Sequence, residues 1–236
     1  DTGFADEGTR SAWVAVLAGL AGPVRNLLVT HFHPDHLGLA TWLLEQTGAQ
    51  LWMTAAEFLT AHAVWHEVGG HGARFMTEQF RQHGLSADLL DRFARRGSGY
   101  TRSVPALPER YNRLQAGDSR AIGGREWKVV IGHGHSPEHA ALYCQELAVL
   151  ISGDMLLPRI STNISVMAVT PAADALGSYL ASLDAMAREI PDSTLVLPSH
   201  GLPFVGLSER IAALHAHHGE RLQAVEDDCE APKSAA

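Results

Sequence analysis

An α/β chain with two sheets packed face to face and helices on the outside is what this sequence predicts, and three observations carry the prediction. Residues 24–53 alternate strand, helix and strand; a second β-rich portion runs from Gly117 to Ser152; and helical stripes follow both. The 236 residues suffice for one sizeable domain with a core able to support a buried site. With 46% hydrophobic and 19% charged residues, and no unbroken apolar run of about 18, the chain reads as globular, neither membrane-spanning nor disordered. A formal charge of −8 argues against a general nucleic-acid-binding surface while leaving room for a local basic groove.

Taken in order, Ser11 to Leu20 carries Trp13, Val16, Leu17 and Leu20 on one helical stripe, with Ser11 as the expected cap and Gly22-Pro23 as the stop. The run from Val24 to Val29 reads as a short buried strand, Leu37 to Thr47 as a helix and Gln50 to Met53 as the next strand. From Thr54 the character changes. Ala55 to Val68, Ala73 to His83 and Ser86 to Arg96 read as helices separated by glycines, so residues 54–110 are expected to form a helical insertion. Such insertions commonly roof an active site, and purely structural elaboration is the equal alternative. Between Arg92 and Arg113 stand six arginines (Arg92, Arg95, Arg96, Arg102, Arg110, Arg113) against one acid, Glu109: an anion-binding patch or a solvated face.

Gly123-Gly124 is a hairpin turn, flanked on its C-terminal side by strands at Trp127 to Ile131, Ala140 to Cys144 and Ala148 to Ser152. Thr170-Pro171 is expected to open a helix reaching Ile190, Thr194 to Leu197 a strand, and Ser208 the last amphipathic helix. Residues 1–225 form the domain, and residues 226–236 are expected to be a disordered tail. Cys144 and Cys229 are the only cysteines and lie far apart, so a reducing, cytoplasmic setting is the simpler assumption.

The densest chemistry is at Thr30 to Leu37, Thr-His-Phe-His-Pro-Asp-His-Leu, on a strand-to-helix turn. Three neutral imidazoles and a carboxylate within six positions suit zinc or a similar transition metal. His31 and His33, two apart, can share one direction, while Asp35 and His36 can serve a second position nearby, so one loop can feed two metal sites.

This HxHxDH string resembles the signature of the metallo-β-lactamase superfamily, whose members mostly use one or two metal ions to hydrolyse esters, thioesters, lactams or phosphodiesters. Four further stretches are similar to its motifs, in order. Asp1-Thr2-Gly3 resembles the "DTG" that ends an early strand, which implies about two or three opening strands ahead of Asp1 and leaves any targeting segment unread. Gly134-His135-Ser136-Pro137-Glu138-His139 resembles "GHTPGH", with His135 rather than His133 as the implied ligand; Ser152-Gly153-Asp154 resembles the "GD" whose aspartate bridges two metals; and Pro198-Ser199-His200-Gly201 resembles "PGHG". The resemblance implies an αββα sandwich, one site of His31, His33 and His135, a second of Asp35, His36 and His200, and Asp154 between them. Asp35 would also orient the attacking hydroxide, whereas Asp1 and His139 would bind no metal and steady the ligands by hydrogen bonding. Arg159 is the candidate substrate-binding side chain.

The reading is a binuclear zinc hydrolase, with iron or manganese as alternative metals, acting on a small anionic ester or thioester. The branches most similar are the β-lactamase-like endoribonucleases and the glyoxalase II-like proteins; the former implies a C-terminal winged-helix domain that this chain ends too early to contain. A mononuclear iron persulfide dioxygenase also retains HxHxDH, while the iron oxygen-reductase branch carries glutamate where His33 stands. A non-catalytic RNA-binding derivative would show damaged ligand positions, and here all seven are filled.

Overall fold

The structure, a computed structural model, describes residues 1–96 and 99–229. Helix α1 (Glu7–Gly19) opens it, capped by Asp6, whose carboxylate accepts the Thr9 N–H at 2.8 Å. The cap therefore lies five residues ahead of the expected Ser11, because a carboxylate both satisfies the free first-turn N–H groups and faces the positive helix end. Strand β1 (Asn26–Leu28) leads into the histidine loop. The expected helix from Leu37 is split into α2 (Pro34–Leu37) and α3 (Ala40–Thr47), and at the break Leu39 N–H donates to Thr2 Oγ1 instead of a helical carbonyl.

Strand β2 (Gln50–Thr54) pairs parallel with β1 on one side and with β3 (Asn112–Leu114) on the other. The three-residue β3 was not expected from the sequence. It gives the insertion its topology: parallel neighbours need a crossover, and α4 (Ala55–Trp65), α5 (Ala73–Gln82), α6 (Ala87–Arg96) and α7 (Tyr100–Ser103) make it. Within the arginine run, Arg92 and Arg95 are exposed on α6, and Arg95 lies 3.9 Å from Asp91.

The second sheet has the order β4 (Ser119–Ile122), β5 (Arg125–Gly132), β6 (His139–Cys144), β7 (Val149–Gly153), β8 (Leu195–Pro198), antiparallel except for the β7–β8 pair. Helix α8 (Ala175–Glu189) starts later than Thr170-Pro171 because Asp174 takes the cap, accepting Gly177 N–H at 2.7 Å. Helix α9 (Leu207–Asp228) continues three residues into the stretch expected to be a tail, where Gln223 Nε2 donates across one turn to Asp227 Oδ1 at 2.8 Å. The remainder of that tail, residues 230–236, lies outside the described residues.

Three apolar clusters define the layers. Leu27, Val29, Leu51 and Met53 of the first sheet pack with Leu37, Leu43 and Phe58 of the helices outside it. Trp127, Val129 and Leu142 of the second sheet meet Leu28, Trp52 and Leu114 of the first, filling the space between them. Leu150 and Val196 face outward onto Tyr179, Leu183, Leu207 and Leu214 of α8 and α9. The order helix, sheet, sheet, helix is the predicted αββα sandwich. Strand β6, buried at all six positions, is its central plank. No helix among the described residues is long and apolar enough to cross a membrane.

Candidate metal centre

The loop after β1 is braced from the amino terminus. Asp1 Oδ1 accepts Thr30 N–H at 2.8 Å, Asp1 Oδ2 accepts Thr30 Oγ1–H at 3.1 Å, and that same oxygen lies 3.0 Å from His36 Nδ1. Thr2 closes on the other side, its N–H and Oγ1–H both donating to His36 O at 2.8 Å. His33 occupies the N-cap of α2 with Pro34 next, so Asp35 and His36 leave from a one-turn helix and face a different point from His31 and His33.

The other donors arrive from the second sheet. His135 stands in the loop between β5 and β6, its Nδ1 2.7 Å from Asn163 O. Asp154 follows a register shift at the end of β7, and its N–H donates to His139 Nε2 at 3.1 Å. Gly153 makes that contact feasible: it is left-handed at φ +53°, and a Cβ there would stand 2.4 Å from His139 Nε2. His200 lies just beyond β8 and is the exposed member of the group. His133, by contrast, is turned away, with Nδ1 2.7 Å from Pro137 O.

All seven predicted ligands converge. His31 Nε2, His33 Nδ1 and His135 Nε2 form a triangle with edges of 2.9, 3.0 and 3.1 Å. Asp35 Oδ2 lies 3.5 Å from His36 Nε2 and 3.2 Å from His200 Nε2. Asp154 addresses both sets: Oδ2 is 3.5 Å from His135 Nε2, and Oδ1 is 3.4 Å from His36 Nε2 and 3.5 Å from His200 Nε2.

Proton placement shows what these residues can hold. Thr30 Oγ1 spends its proton on Asp1, so at 2.9 Å it accepts from His31 Nδ1–H; Asn163 O can only accept, so His135 Nδ1 also carries its proton. His31 Nε2 and His135 Nε2 are therefore lone pairs facing each other at 3.0 Å. Left alone they repel, and a cation turns the contact into coordination at the about 2.0–2.1 Å usual for zinc and imidazole. In the second set, His36 Nε2 and Asp154 Oδ1 are buried without a hydrogen-bond partner among the described residues. The donor chemistry thus fits metal ions.

Electrostatics agree at His31, His33 and Asp35. Burial, followed by the neighbouring imidazoles, holds His31 well below the usual histidine range, and burial with His135 pushes His33 down to about 3. Burial would raise Asp35, but the neighbouring His36 imidazole outweighs it and leaves it at about 2, and, against burial, the carboxylates of Asp154 and Asp35 in turn raise His36. Neutral imidazole and ionised carboxylate are the forms that ligate metal.

Sequence reasoning missed the residues that hold the two loops together. Glu57, fully buried in the first turn of α4, accepts Phe32 N–H at 2.9 Å on Oε2, and Ser136 Oγ–H at 2.6 Å and Glu138 N–H at 2.7 Å on Oε1. Tyr100 of α7 donates its hydroxyl to Phe32 O at 2.5 Å. The residue between His31 and His33 is thus clamped at N–H and C=O by two helices of the crossover. The sequence signal was an acid within an apolar stretch, Ala-Ala-Glu-Phe-Leu.

A family model described as the metallo-beta-lactamase superfamily matches residues 1–200. The chain belongs to the metallo-beta-lactamase superfamily. Among solved structures similar to this superfamily member, a beta-lactamase domain protein from Burkholderia ambifaria is 44% identical with a TM-score of 0.86, covering 100% of this chain and 69% of the other. A metallo-beta-lactamase family protein from Thermus thermophilus is 29% identical with a TM-score of 0.80, covering 100% and 75%. The protein TTHA1623, solved in a di-iron-bound form, is 25% identical with a TM-score of 0.58, covering 87% and 84%.

Proposed function

We propose that this metallo-beta-lactamase superfamily member is a binuclear metal-dependent hydrolase acting on a small anionic ester or thioester, in the manner of glyoxalase II-like proteins. The observation that carries the reading is the two-sided Asp154, with one carboxylate oxygen turned to the triangle of His31, His33 and His135 and the other to His36 and His200. His31, His33 and His135 would hold one ion, Asp35, His36 and His200 the other, with Asp154 shared. Two divalent cations there would supply hydroxide near neutral pH and polarise the scissile carbonyl. Asp35, ionised at neutral pH and 3.2 Å from His200, would orient that hydroxide and take part in proton transfer to the leaving group. Asp1 and His139 are positioning residues, the first through Thr30 and His36, the second through the Asp154 N–H.

Zinc is the metal we propose, and the di-iron form of TTHA1623 supports iron as the competitor. Metal analysis of protein purified without added metal, beside a thioester and phosphodiester panel, tests the reading. About two zincs per chain with thioester turnover is the expected result. Turnover of phosphodiesters alone would move the reading to a nuclease-like branch, and about one iron with oxygen-dependent activity on a persulfide would replace hydrolysis by dioxygenation.

A further inference from the structure

A cavity of about 540 Å³ has His200, of the second donor set, in its lining. Two loops build it: Pro158 to Ile160, following Asp154, and His200 to Phe204, following β8. Both loops are fixed. Arg210 of α9 donates Nε–H to Leu157 O at 2.6 Å and a guanidinium N–H to Ile160 O at 2.8 Å, pinning the carbonyls on either side of Arg159. Gly201, left-handed at φ +92°, lets Pro158 sit against it, since a Cβ there would stand 2.7 Å from Pro158 Cγ.

The lining is apolar, and its rim is exposed to a degree that needs a reason: Ile160 is 62% and Leu202 76% accessible. Amid this surface Arg159 is the one permanent charge of the lining. No acidic side chain lines the cavity, and among the described residues the guanidinium makes no ion pair or hydrogen bond. An exposed guanidinium carried by a pinned loop beside an apolar lining can pair with a carboxylate or phosphate.

We propose that this cavity is the specificity subsite of the hydrolase, with Arg159 gripping a carboxylate or phosphate at the far end of an apolar segment whose other end places the scissile ester or thioester at the metal centre. The substrate class is an amphipathic acyl compound with a terminal oxyanion. The inference rests on the hydrolase reading for its chemistry and on the loops 158–160 and 200–204 alone for its selectivity.

The test compares metal-loaded wild-type protein with Arg159→Met, which keeps the aliphatic stem, on thioesters of equal chain length ending in a carboxylate, a phosphate or a methyl group. Wild type is expected to favour one of the charged ends over methyl by about tenfold or more in kcat/KM. R159M loses that preference through KM while holding the same metal per chain. Equal turnover of charged and methyl ends by wild type, or a preference that survives in R159M, overturns the subsite. A binding arm keeps the two readings apart: adipate and hexanoate are titrated calorimetrically, with no turnover required. If no thioester is cleaved yet wild type binds adipate at least tenfold more tightly than hexanoate and R159M does not, the subsite stands and the hydrolase reading falls. Equal binding of the two acids by wild type overturns the subsite whatever the enzyme cleaves.

Discussion

Replacing Glu57 tests the clamp between the two metal loops, and its effect can be worked from the geometry. Glu57→Ala leaves Phe32 N–H, Ser136 Oγ–H and Glu138 N–H without an acceptor in a buried site. Each of the three stranded donors costs about 1–3 kcal/mol, so the variant should lose about 3–9 kcal/mol. Protonation adds a pH dependence. Burial pushes the Glu57 carboxyl up to about 7, against the lowering effect of its three donors. The folded chain therefore keeps a proton up to about pH 7 that the unfolded chain releases near 4.5, and wild-type stability falls as pH rises through that window, by up to about 3 kcal/mol. Glu57→Gln, near-isosteric and unable to titrate, isolates this contribution. Urea unfolding with a chelator present, at pH 5 and pH 8, is the assay. E57Q sets its amide NH2 against the Phe32 N–H and should fall about 1–3 kcal/mol below wild type at pH 5, a deficit that narrows or reverses at pH 8, while E57A is weaker at pH 5 by the larger margin. An E57Q deficit that is unchanged or larger at pH 8 would refute the argument that burial outweighs the donors.

Other outcomes follow from the same contacts. Asp154→Ala and His135→Ala should each abolish turnover and lower metal content while circular dichroism stays folded; full activity in either sinks the ligand assignment. Gly153→Ala, forced into a left-handed backbone against His139, should misplace Asp154 and cut kcat about 100-fold, which stopped-flow or steady-state rates will show. Tyr100→Phe removes one hydrogen bond to Phe32 O and should cost about 0.5–1.5 kcal/mol in unfolding free energy. Chelation should lower Tm, and restoring an ion to 100 times its Kd should return about 2.7 kcal/mol; a Tm indifferent to chelator contradicts metal binding by the folded chain.

The centre was unusually readable because its donors cluster in short runs at strand ends, where a few residues fix both spacing and direction. His31 to His36 sit on one turn, and the backbone alone separates the pair His31 and His33 from Asp35 and His36. Between His135 and His133 the Ser-Pro after His135 was the sequence signal, and the loop turns the first ring to Asn163 and the second to Pro137. The supports stayed hidden for the opposite reason. Glu57 lies 25 residues from Phe32 and 79 from Ser136, and Thr54-Ala-Ala-Glu57 already has the spacing of an ordinary helix capping box. The helix starts were misplaced wherever an aspartate competed with serine or threonine for the cap, as at Asp6 and Asp174. Strand β3 escaped because three residues are too few to show a period.

The clamp on Phe32 also divides the crossover into roots and a crown. Its roots, Glu57 at the start of α4 and Tyr100 in α7, are bolted to the histidine loop, while the hairpin of α5 and α6 leans on the rest through lighter touches such as Gln79 Nε2 to Val166 O at 3.2 Å. A chimera that exchanges the crown and keeps both roots should therefore fold around an intact metal centre. Selection or engineering can restyle that surface without renegotiating the chemistry beneath it.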